Sequence, residues 1–330
     1  MTTVKWGILS TARHAANTWI PQAHNSPSGE VVAVASRDPH RAQQFAAANN
    51  IPNSYGSYEA LLADDTIDAV YIPLPNHMHK EWAIKAKEAG KHVMCEKPLG
   101  LNAMEAVEMV EAFKGSDLKF AEAFQWRHSR QAQRLRQIVQ SGEIGDLRFI
   151  DAGFSFPLDR EGDIRRNPET GGGALYDVGC YTVAATRFIA DAEPLTVTAQ
   201  IYWGDYGIDE LVVATLEFPN HVLAHLNCSF ILPLRRYYEA VCRDGSVLVE
   251  HAYNPNGLKN KVIQRGQDHE VVKTHVLGRD NEYLLLIEDF NRAVLDDRDP
   301  LYGGDDAIKN MKVIDAIYKA SETGTRVEVG

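Results

Sequence analysis

The sequence predicts an α/β domain built on a doubly wound parallel sheet, followed by an α+β domain with a large, mostly antiparallel open sheet. Through the first 123 or so residues, short β-rich runs alternate with amphipathic helical patterns, which is typical of βαβ units. After residue 146 the β-rich runs follow one another, with one clear helical insertion near residues 174–190. Because 45% of the 330 residues are apolar, the chain can form two cores, and we expect domains at residues 1–123 and 124–330.

Helix caps in the first region support this alternation. The predicted strands are "VKWGIL" at 4–9, "EVVAVAS" at 30–36, "DAVYIPL" at 68–74, "HVMCEK" at 92–97 and "KFAEAF" at 119–124. Asp38 before Pro39 is typical of an N-cap followed by proline at the first helical position. Asn102 with Glu105 three residues later resembles a capping box. These caps place helices between the strands, as a parallel sheet requires.

The second region contains longer runs that alternate between apolar and polar residues. They are "DLRFIDAGFSF" at 146–156, "LTVTAQIYW" at 195–203, "ELVVATLEF" at 210–218, "VLAHLNCSF" at 222–230 and "SVLVEHAY" at 246–253. Two helical patterns, about 281–295 and 304–322, close the sequence. Since the apolar faces of these strands exceed what one intervening helix can cover, we expect a homodimer or higher homo-oligomer that packs through this sheet.

The charge balance and the cysteines disfavour several classes of partner. Lys and Arg total 34 against 45 Asp and Glu, and the net charge of -11 disfavours nucleic acid or an anionic membrane surface. The four cysteines are far apart and form no C-x-x-C pair, so neither a disulfide framework nor a zinc site is expected. The N-terminus has no secretory signal pattern, and no run is apolar enough to span a membrane. We expect a soluble, cytoplasmic protein that binds a small molecule.

Polar residues follow the predicted strands of the first region. They are Ser10, Thr11, Ala12 and Arg13 after the first strand, Ser36 and Arg37 after the second, Pro75 and Asn76 after the third, Glu96, Lys97 and Pro98 after the fourth, and Gln125, Trp126 and Arg127 after the fifth. The carboxyl ends of parallel strands meet at one edge of a sheet, where such folds bind their ligands. We therefore expect the ligand site at this edge.

The first of these turns has the frame of a dinucleotide fingerprint without its glycines. Ser10, Ala12 and Ala15 stand where the pattern G-x-G-x-x-G has glycine. Serine and alanine are the next-smallest residues, and the helix N-terminus that follows still offers amide donors to a phosphate. Because even an intact motif is weak outside its context, a plain strand-to-helix turn stays open as the alternative.

The end of the second strand favours NADP(H) over NAD(H). A ribose 2'-phosphate needs a hydroxyl and a guanidinium, and Ser36 and Arg37 stand there, with Arg41 one helical turn further on. Asp38 could be the acid that binds the ribose of NAD, but it is better explained as a helix cap. The alternative is that both arginines are solvated surface charges.

Two further segments carry a family resemblance. "VMCEKPLGLNAMEAVEM" from residue 93 and "TGGGALYDVGCYTVAATRFI" at 170–189 resemble motifs of the glucose-fructose oxidoreductase, inositol dehydrogenase and rhizopine-catabolism (Gfo/Idh/MocA) family of NAD(P)-dependent enzymes. "WGILSTAR", the Ser36–Arg37 pair and the tyrosine of the second motif look most like the branch with dihydrodiol dehydrogenase and NADP-dependent D-xylose dehydrogenase. The resemblance implies an N-terminal Rossmann domain that binds NADP(H), a C-terminal domain that binds substrate, and no metal.

The resemblance also implies site residues. The catalytic positions match Lys97, Asp177 and Tyr181, and a cis peptide bond is implied between Lys97 and Pro98. The expected cofactor site consists of Ser10, Thr11, Ala12, Arg13, Ser36, Arg37, Arg41, Pro75, Asn76, His79, Glu96 and Lys97. The expected substrate site consists of Lys97, Trp126, Arg127, Asp177 and Tyr181. His77 and His79 could suggest a metal, but residues two apart do not share a helix face.

The chemistry of these residues fits hydride transfer. Moving a hydride to or from a carbinol carbon needs a group that takes or gives the hydroxyl proton. Free Lys and Tyr titrate at about 10, so Lys97 and Tyr181 need burial or a nearby charge to act near neutral pH. Asp177, four residues before Tyr181, would share its helix face and accept a substrate hydroxyl or steady Lys97. The alternatives are an exposed loop lysine, a first-turn acid and a core-edge tyrosine.

Two other features suit a sugar substrate. The glycines of "GGGALYD" would let the backbone approach a flat ring or sugar, unless they form only a flexible turn. Trp126 and Arg127 offer an indole face and a guanidinium to a polyhydroxylated ring, although both also suit a seam between domains.

The sequence therefore predicts an NADP(H)-dependent oxidoreductase that acts on a ring hydroxyl or ketone of a sugar or cyclic polyol, such as an aldose or D-xylose dehydrogenase. The alternatives within this chemistry are a trans-dihydrodiol dehydrogenase and a sugar-ketone or anhydro-sugar reductase. An alternative of another class is a non-catalytic NADP-binding sensor. A methyltransferase would want an acid where Arg37 stands.

Overall fold

The computed structural model describes residues 2–253 and 258–330. The chain divides into two compact units. The first consists of Met1–Phe124 with Tyr283–Ile308, and the second of Gln125–Glu282 with Lys309–Gly330.

The first unit contains a six-stranded parallel sheet. Its strands are β1 (Val4–Leu9), β2 (Gly29–Ala35), β3 (Asn53–Tyr55), β4 (Ala69–Ile72), β5 (His92–Glu96) and β6 (Phe120–Ala123). They lie in the order β3-β2-β1-β4-β5-β6, and neighbouring strands pair in parallel. The predicted doubly wound sheet is confirmed. Sequence patterning did not indicate β3, because three residues without a buried side chain carry no apolar period.

Helices connect these strands. They are α1 (Ile20–Ala23), α2 (Pro39–Ala48), α3 (Tyr58–Leu62), α4 (His79–Glu88) and α5 (Ala103–Phe113), and a π-helical turn, Ala15–Trp19, precedes α1. Both predicted caps are present. The Asp38 side chain accepts the backbone N–H of His40 at 2.9 Å, and the Asn102 side chain accepts that of Glu105 at 2.9 Å. Glu105 reaches back to the amide of Leu101, also at 2.9 Å.

A tryptophan cluster forms part of the core of the first unit. Trp6 packs edge-on against Trp19, with ring centroids 5.2 Å apart, and Trp19 stacks on Tyr71 at 4.4 Å. Phe290, from the late helix α8 (Glu282–Leu295), lies 5.3 Å from Trp6, and the Trp6 indole donates to the Asn291 side chain at 2.9 Å. The helix predicted near 281–295 therefore completes the first core, although the sequence analysis grouped it with the second region.

The second unit contains a nine-stranded sheet that is mostly antiparallel. Its strands are β7 (Leu147–Ser155), β8 (Thr196–Trp203), β9 (Asp209–Glu217), β10 (Leu223–Ser229), β11 (Arg235–Cys242), β12 (Gly245–Val249), β13 (Asn260–Arg265), β14 (Val271–Gly278) and β15 (Val327–Glu328). The order is β14-β13-β12-β11-β7-β10-β9-β8-β15, and among the described strands of this second sheet only β7 and β10 pair in parallel. The predicted open sheet is confirmed.

Helices cover one face of this sheet. They are α6 (Arg130–Ser141), α7 (Cys180–Ala190) and, from Lys309 on, α9 (Gly304–Thr323). α6 packs against β11, β12 and β13, whereas α7 packs against β7, β10 and β11. Side chains such as Ile150, Val212 and Leu226 are buried beneath the helices, while Phe149 and Val213 on the opposite face are exposed. In the part of the chain that the structure describes, no helix is long and apolar enough to cross a membrane.

Candidate active site

The turn after β1 leads directly into a helix. Ser10 and Ala12 are half-buried, Thr11 is buried, and Arg13 is exposed at the first helical position. Ala15, at the third position of the fingerprint frame, is completely buried, so a small residue is required there for packing. Amide groups at a helix N-terminus attract phosphate, and these four polar or small residues surround such an end.

The end of β2 brings two arginines near a buried tyrosine. Arg37 and Arg41 are exposed, and Ser36 is buried with its hydroxyl accepting the Asp38 amide at 3.2 Å. Burial raises the pKa of Tyr58, whereas the guanidinium groups of Arg37 and Arg41 act to lower it, and Arg37 also hydrogen-bonds its hydroxyl. The Tyr58 hydroxyl therefore helps to hold the Arg37 guanidinium in place. No sequence signal indicated this role.

Asp38 is committed to capping α2. One of its carboxylate oxygens accepts the amides of His40 at 2.9 Å and Arg41 at 3.3 Å. The Asp38 carboxylate therefore acts as the cap that the sequence predicts. Ser36, Arg37 and Arg41 are the other polar side chains at this strand end.

The loop after β4 is joined to the loop after β5 through His79. Pro75 and Asn76 are half-buried, and Asn76 opens a short 3-10 helix. The His79 ring is 0% exposed, with Nδ1 3.0 Å from the Pro98 carbonyl and Nε2 2.8 Å from the Leu74 carbonyl. His79 thus braces the two loops from inside the protein, and its expected contact with the cofactor stays a prediction.

Glu96 organises the residues around Lys97. Its Oε1 accepts the Tyr71 hydroxyl at 2.6 Å and lies 3.4 Å from Nε2 of His14, and its Oε2 accepts the Lys97 amide at 3.2 Å. Burial opposes ionisation, yet the pKa of Glu96 lies below its ordinary value because His14, Lys97 and Tyr71 stabilise the carboxylate. The peptide bond between Lys97 and Pro98 is cis, as predicted.

In the second unit, one helix carries Asp177 and Tyr181. Asp177 lies in a π-helical turn, Leu175–Gly179, that continues directly into α7 with Tyr181 in its first turn. The Asp177 Oδ2 accepts the Nε–H of Arg165 at 2.7 Å. The Tyr181 hydroxyl lies 3.3 Å and 3.4 Å from the amide nitrogen and oxygen of Gln125. Gln125 is one of the strand-end residues at the predicted ligand edge, whereas no sequence signal indicated Arg165, because its contact links residues 12 apart.

The glycines of "GGG" are explained by packing within the protein. A Cβ on Gly172 would lie 2.5 Å from the Arg165 carbonyl oxygen, and one on Gly173 would lie 2.1 Å from a carboxylate oxygen of Asp209. Gly173 also has a φ of +126°, which side chains with a Cβ rarely adopt. The expected approach of a sugar ring is therefore corrected: these glycines admit the protein's own loop and carboxylate.

Trp126 and Arg127 are both buried in the second unit. Trp126 is 1% exposed, with its indole centroid 5.4 Å from the ring of Phe188 and 5.7 Å from that of Tyr253. The indole is therefore part of an aromatic cluster, and the expected contact of Trp126 and Arg127 with the substrate stays a prediction.

Within residues 2–253 and 258–330, no group of three or more His, Cys, Asp or Glu side chains is arranged to hold a metal ion.

The strand order of the first unit is that of dinucleotide-binding folds. This order, together with the polar strand ends, defines a class of nucleotide-dependent proteins. Residues 4–124 match the model of the oxidoreductase family with the NAD-binding Rossmann fold, and residues 132–248 match the Gfo/Idh/MocA C-terminal domain. The chain belongs to the Gfo/Idh/MocA oxidoreductase family, and the resemblance seen in the sequence is confirmed.

Similar proteins are named dehydrogenases and reductases. A D-xylose 1-dehydrogenase (NADP(+)) of Haloferax volcanii is 36% identical over 98% of this chain and 99% of its own. A trans-1,2-dihydrobenzene-1,2-diol dehydrogenase of Xenopus laevis is 35% identical over 70% of each chain. A 3-ketoreductase of Actinomadura kijaniata, solved with NADP and TDP-benzene, is 30% identical with a TM-score of 0.90 and covers 96% of this chain and 98% of its own.

Proposed function

We propose that this protein is an NADP(H)-dependent oxidoreductase that transfers a hydride between the nicotinamide and a ring hydroxyl or ketone of a sugar or cyclic polyol. The observation that carries the cofactor choice is the end of β2. There Ser36, Arg37 and Arg41 are available to a 2'-phosphate, while Asp38 is held as a helix cap. The NADP-dependent relatives support the same choice.

The residues of the first unit fit the rest of the cofactor. Ser10, Thr11, Ala12 and Arg13 would hold the pyrophosphate at the helix N-terminus, with side chains supplementing the amides because glycines are missing. Pro75, Asn76, Glu96 and Lys97 would line the nicotinamide end, as in the family motif. When bound, the nicotinamide gives or accepts the hydride.

The proton of the reacting hydroxyl is assigned to Lys97 or Tyr181. In oxidation, Nζ of Lys97 or the phenolic oxygen of Tyr181 would take this proton, and in reduction it would return it. Glu96 holds the Lys97 amide through Oε2. Gln125 orients the Tyr181 hydroxyl. Glu96 therefore fixes the backbone that carries Lys97, and Gln125 contacts the reacting group of Tyr181 itself.

Asp177 would bind a second hydroxyl of the substrate. Arg165 lies 2.7 Å from Oδ2 and favours the ionised carboxylate, which only accepts hydrogen bonds. An ionised acceptor suits the hydroxyl next to the reacting carbon. A sugar and a cyclic diol both carry such a neighbour, so both fit this arrangement.

A trans-dihydrodiol dehydrogenase is the second candidate. The observation in its favour is the 35% identity to the Xenopus laevis enzyme of that name. The D-xylose dehydrogenase of Haloferax volcanii matches over a longer part of both chains, and this favours the sugar or polyol.

We further propose the setting in which the enzyme works. Residues 1–123 would form the dinucleotide-binding domain, completed by Tyr283–Ile308, and the rest of residues 124–330 would supply substrate binding and oligomerisation. The open face of the nine-stranded sheet exposes Phe149 by 37%, Val213 by 39% and Leu223 by 46%, which supports a homodimer packed through that face. The four cysteines are buried thiols outside disulfides, which supports a reducing, cytoplasmic location. The net charge of -11 argues against nucleic acid or membranes as partners.

A spectrophotometric screen tests the proposed activity. NADPH absorbance is followed in both directions with aldoses, anhydro-sugars, inositols and trans-diols, and with NADH in parallel. We expect turnover with a sugar or cyclic polyol and a preference for NADP(H). Turnover with trans-diols alone would favour the second candidate, and tight NADPH binding without any turnover would favour a non-catalytic sensor.

A further inference from the structure

Asp209 is a buried carboxylate at the start of β9, outside every motif discussed above. It is 1% exposed, and a charged group at this depth is costly unless hydrogen bonds replace its water. Its Oδ2 accepts the backbone N–H of Leu175 at 2.6 Å, and its Oδ1 accepts the hydroxyl of Tyr318 at 2.8 Å. The amide of Ala174 contributes a further hydrogen bond. The carboxylate thus joins the start of one helix to α9.

The helix held in this way is the one that carries Asp177 and Tyr181. It runs without a break over residues 174–190, and Leu175 lies in its first turn. A carboxylate at a helix N-terminus accepts amides that have no partner within the helix and complements the helix dipole. Asp209 supplies this cap from a distant strand. A displacement of the first turn would therefore move the Asp177 carboxylate directly.

The residue before this helix is shaped around Asp209. A Cβ on Gly173 would lie 2.1 Å from Oδ1 of Asp209, and the backbone there has a φ of +126°. Any other residue would push the carboxylate away from the helix start. Gly173, the third glycine of "GGG", and the Asp209 carboxylate of β9 therefore pack directly against each other.

We propose that Asp209 is a positioning residue for hydride transfer, which fixes the first turn of the helix at 174–190 and thereby the Asp177 carboxylate and the Tyr181 hydroxyl. The consequence for the reaction rests on the proposed function, whereas the anchoring needs neither cofactor nor substrate. Asp209 touches no reacting atom in this account. It acts through the helix that it caps.

At neutral pH the surroundings of Asp209 leave its carboxylate able to accept hydrogen bonds from the helix and from Tyr318. Burial raises the pKa of Asp209 to about 6, against hydrogen bonds from Leu175 and Tyr318 that lower it. The ionisable groups that face it are Tyr318 from α9 and Cys228 from β10, and burial raises the pKa of both. Near pH 7 Asp209 is therefore mostly ionised, whereas Tyr318 and Cys228 beside it are neutral. Its carboxylate accepts hydrogen bonds from the Leu175 amide and from the Tyr318 hydroxyl.

Two substitutions of Asp209 separate positioning from stability. In Asp209→Asn the amide oxygen can still accept the Leu175 N–H, and the amide nitrogen can donate to the Tyr318 oxygen. In Asp209→Leu, which keeps the branched shape of the side chain but is larger and apolar, both contacts are lost. Val262→Ala is the matched control, because it removes a completely buried side chain from β13, five strands away from β9.

The variants are compared by kcat, by the Kd for NADPH and by hydrogen exchange of the amides of residues 175–181, at a temperature where all are folded. We expect Asp209→Leu to lower kcat by about tenfold or more and to speed exchange in that segment, with the Kd for NADPH unchanged. Asp209→Asn should keep kcat within about threefold. Val262→Ala should lower only the melting temperature.

Equal kcat and unchanged exchange in Asp209→Leu would overturn the inference. If the wild-type protein shows no turnover with any substrate, the proposed function fails, and the exchange measurement still decides whether Asp209 anchors the helix. Faster exchange at 175–181 in Asp209→Leu but not in Val262→Ala would then support the anchoring, and equal exchange would refute it.

Discussion

Arg165 donates from Nε to Oδ2 of Asp177 across 2.7 Å, and its Nη1 donates to Asp163 at 3.3 Å. Asp177 is its main partner, and the pKa of the Arg165 guanidinium is raised by both carboxylates. The Arg165 carbonyl also accepts the amide of Gly173 at 3.0 Å. The loop that carries Arg165 and the helix that carries Asp177 are therefore joined through both backbone and side chain.

Replacing Arg165 should weaken substrate binding. In Arg165→Gln the carboxylate of Asp177 loses its cation, and its orientation is no longer fixed by a guanidinium. We expect the KM for the polyol to rise about tenfold, with the Kd for NADPH unchanged. Arg160→Gln is the control, since Arg160 is an exposed residue of the same loop. Equal KM values for the two variants would show that Arg165 does not act through Asp177.

Replacing Arg37 should change cofactor preference. A charge-assisted hydrogen bond to a 2'-phosphate is worth about 1.5–3 kcal/mol, so Arg37→Gln should raise the Kd for NADPH by at least about tenfold. The Kd for NADH should change little, because NADH has no phosphate at that position. Both constants can be measured by fluorescence titration.

Asp38→Asn is the control for cofactor preference. Asparagine caps helices about as well as aspartate, so the fold and the preference for NADPH should both be kept. If Asp38→Asn weakened NADH binding selectively, Asp38 would be a ribose acid and the assignment of this strand end would be wrong.

The pH dependence of stability should reveal the buried carboxylate of Asp209. Its pKa in the folded protein is about 6, above the ordinary 3.8, so the folded state holds the proton more tightly than the unfolded chain. The contribution of Asp209 to stability is therefore largest at acidic pH and falls as the pH rises through about 6. Relative to Asp209→Asn, the wild-type free energy of unfolding should fall by about 1 kcal/mol between pH 5 and pH 8. Urea unfolding at both pH values measures this difference, and a constant or rising difference would contradict it.

The sequence predicted those features that depend on residues close together in the chain. Asp38 was identified as a cap by the proline after it, and this left Arg37 and Arg41 for the cofactor. The helical pattern near residues 174–190 correctly placed Asp177 and Tyr181 on one helix. In these cases the deciding interactions lie within a few residues, so the pattern itself contains them.

The supporting contacts could not be predicted in the same way. Arg165 reaches Asp177 across 12 residues, and Asp209 reaches Leu175 across 34, and neither contact follows a helical or strand period. The strand β14 was missed because most of its side chains are exposed on both faces, which leaves no apolar alternation. The apolar stripe of α8 showed that the helix packs on a core, but a stripe does not specify which core.

The measurement that tests the central claim most directly is the rate of hydride transfer in Lys97→Met. NADPH formation from NADP⁺ and the best polyol substrate is followed in a single turnover for the wild-type protein, Lys97→Met and Tyr181→Phe, with the Kd for NADPH determined on the same preparations. We predict that Lys97→Met binds NADPH normally and transfers hydride at least about a hundredfold more slowly, since a positioned acid–base group contributes on this order. Full turnover in Lys97→Met with normal NADPH binding would contradict the account.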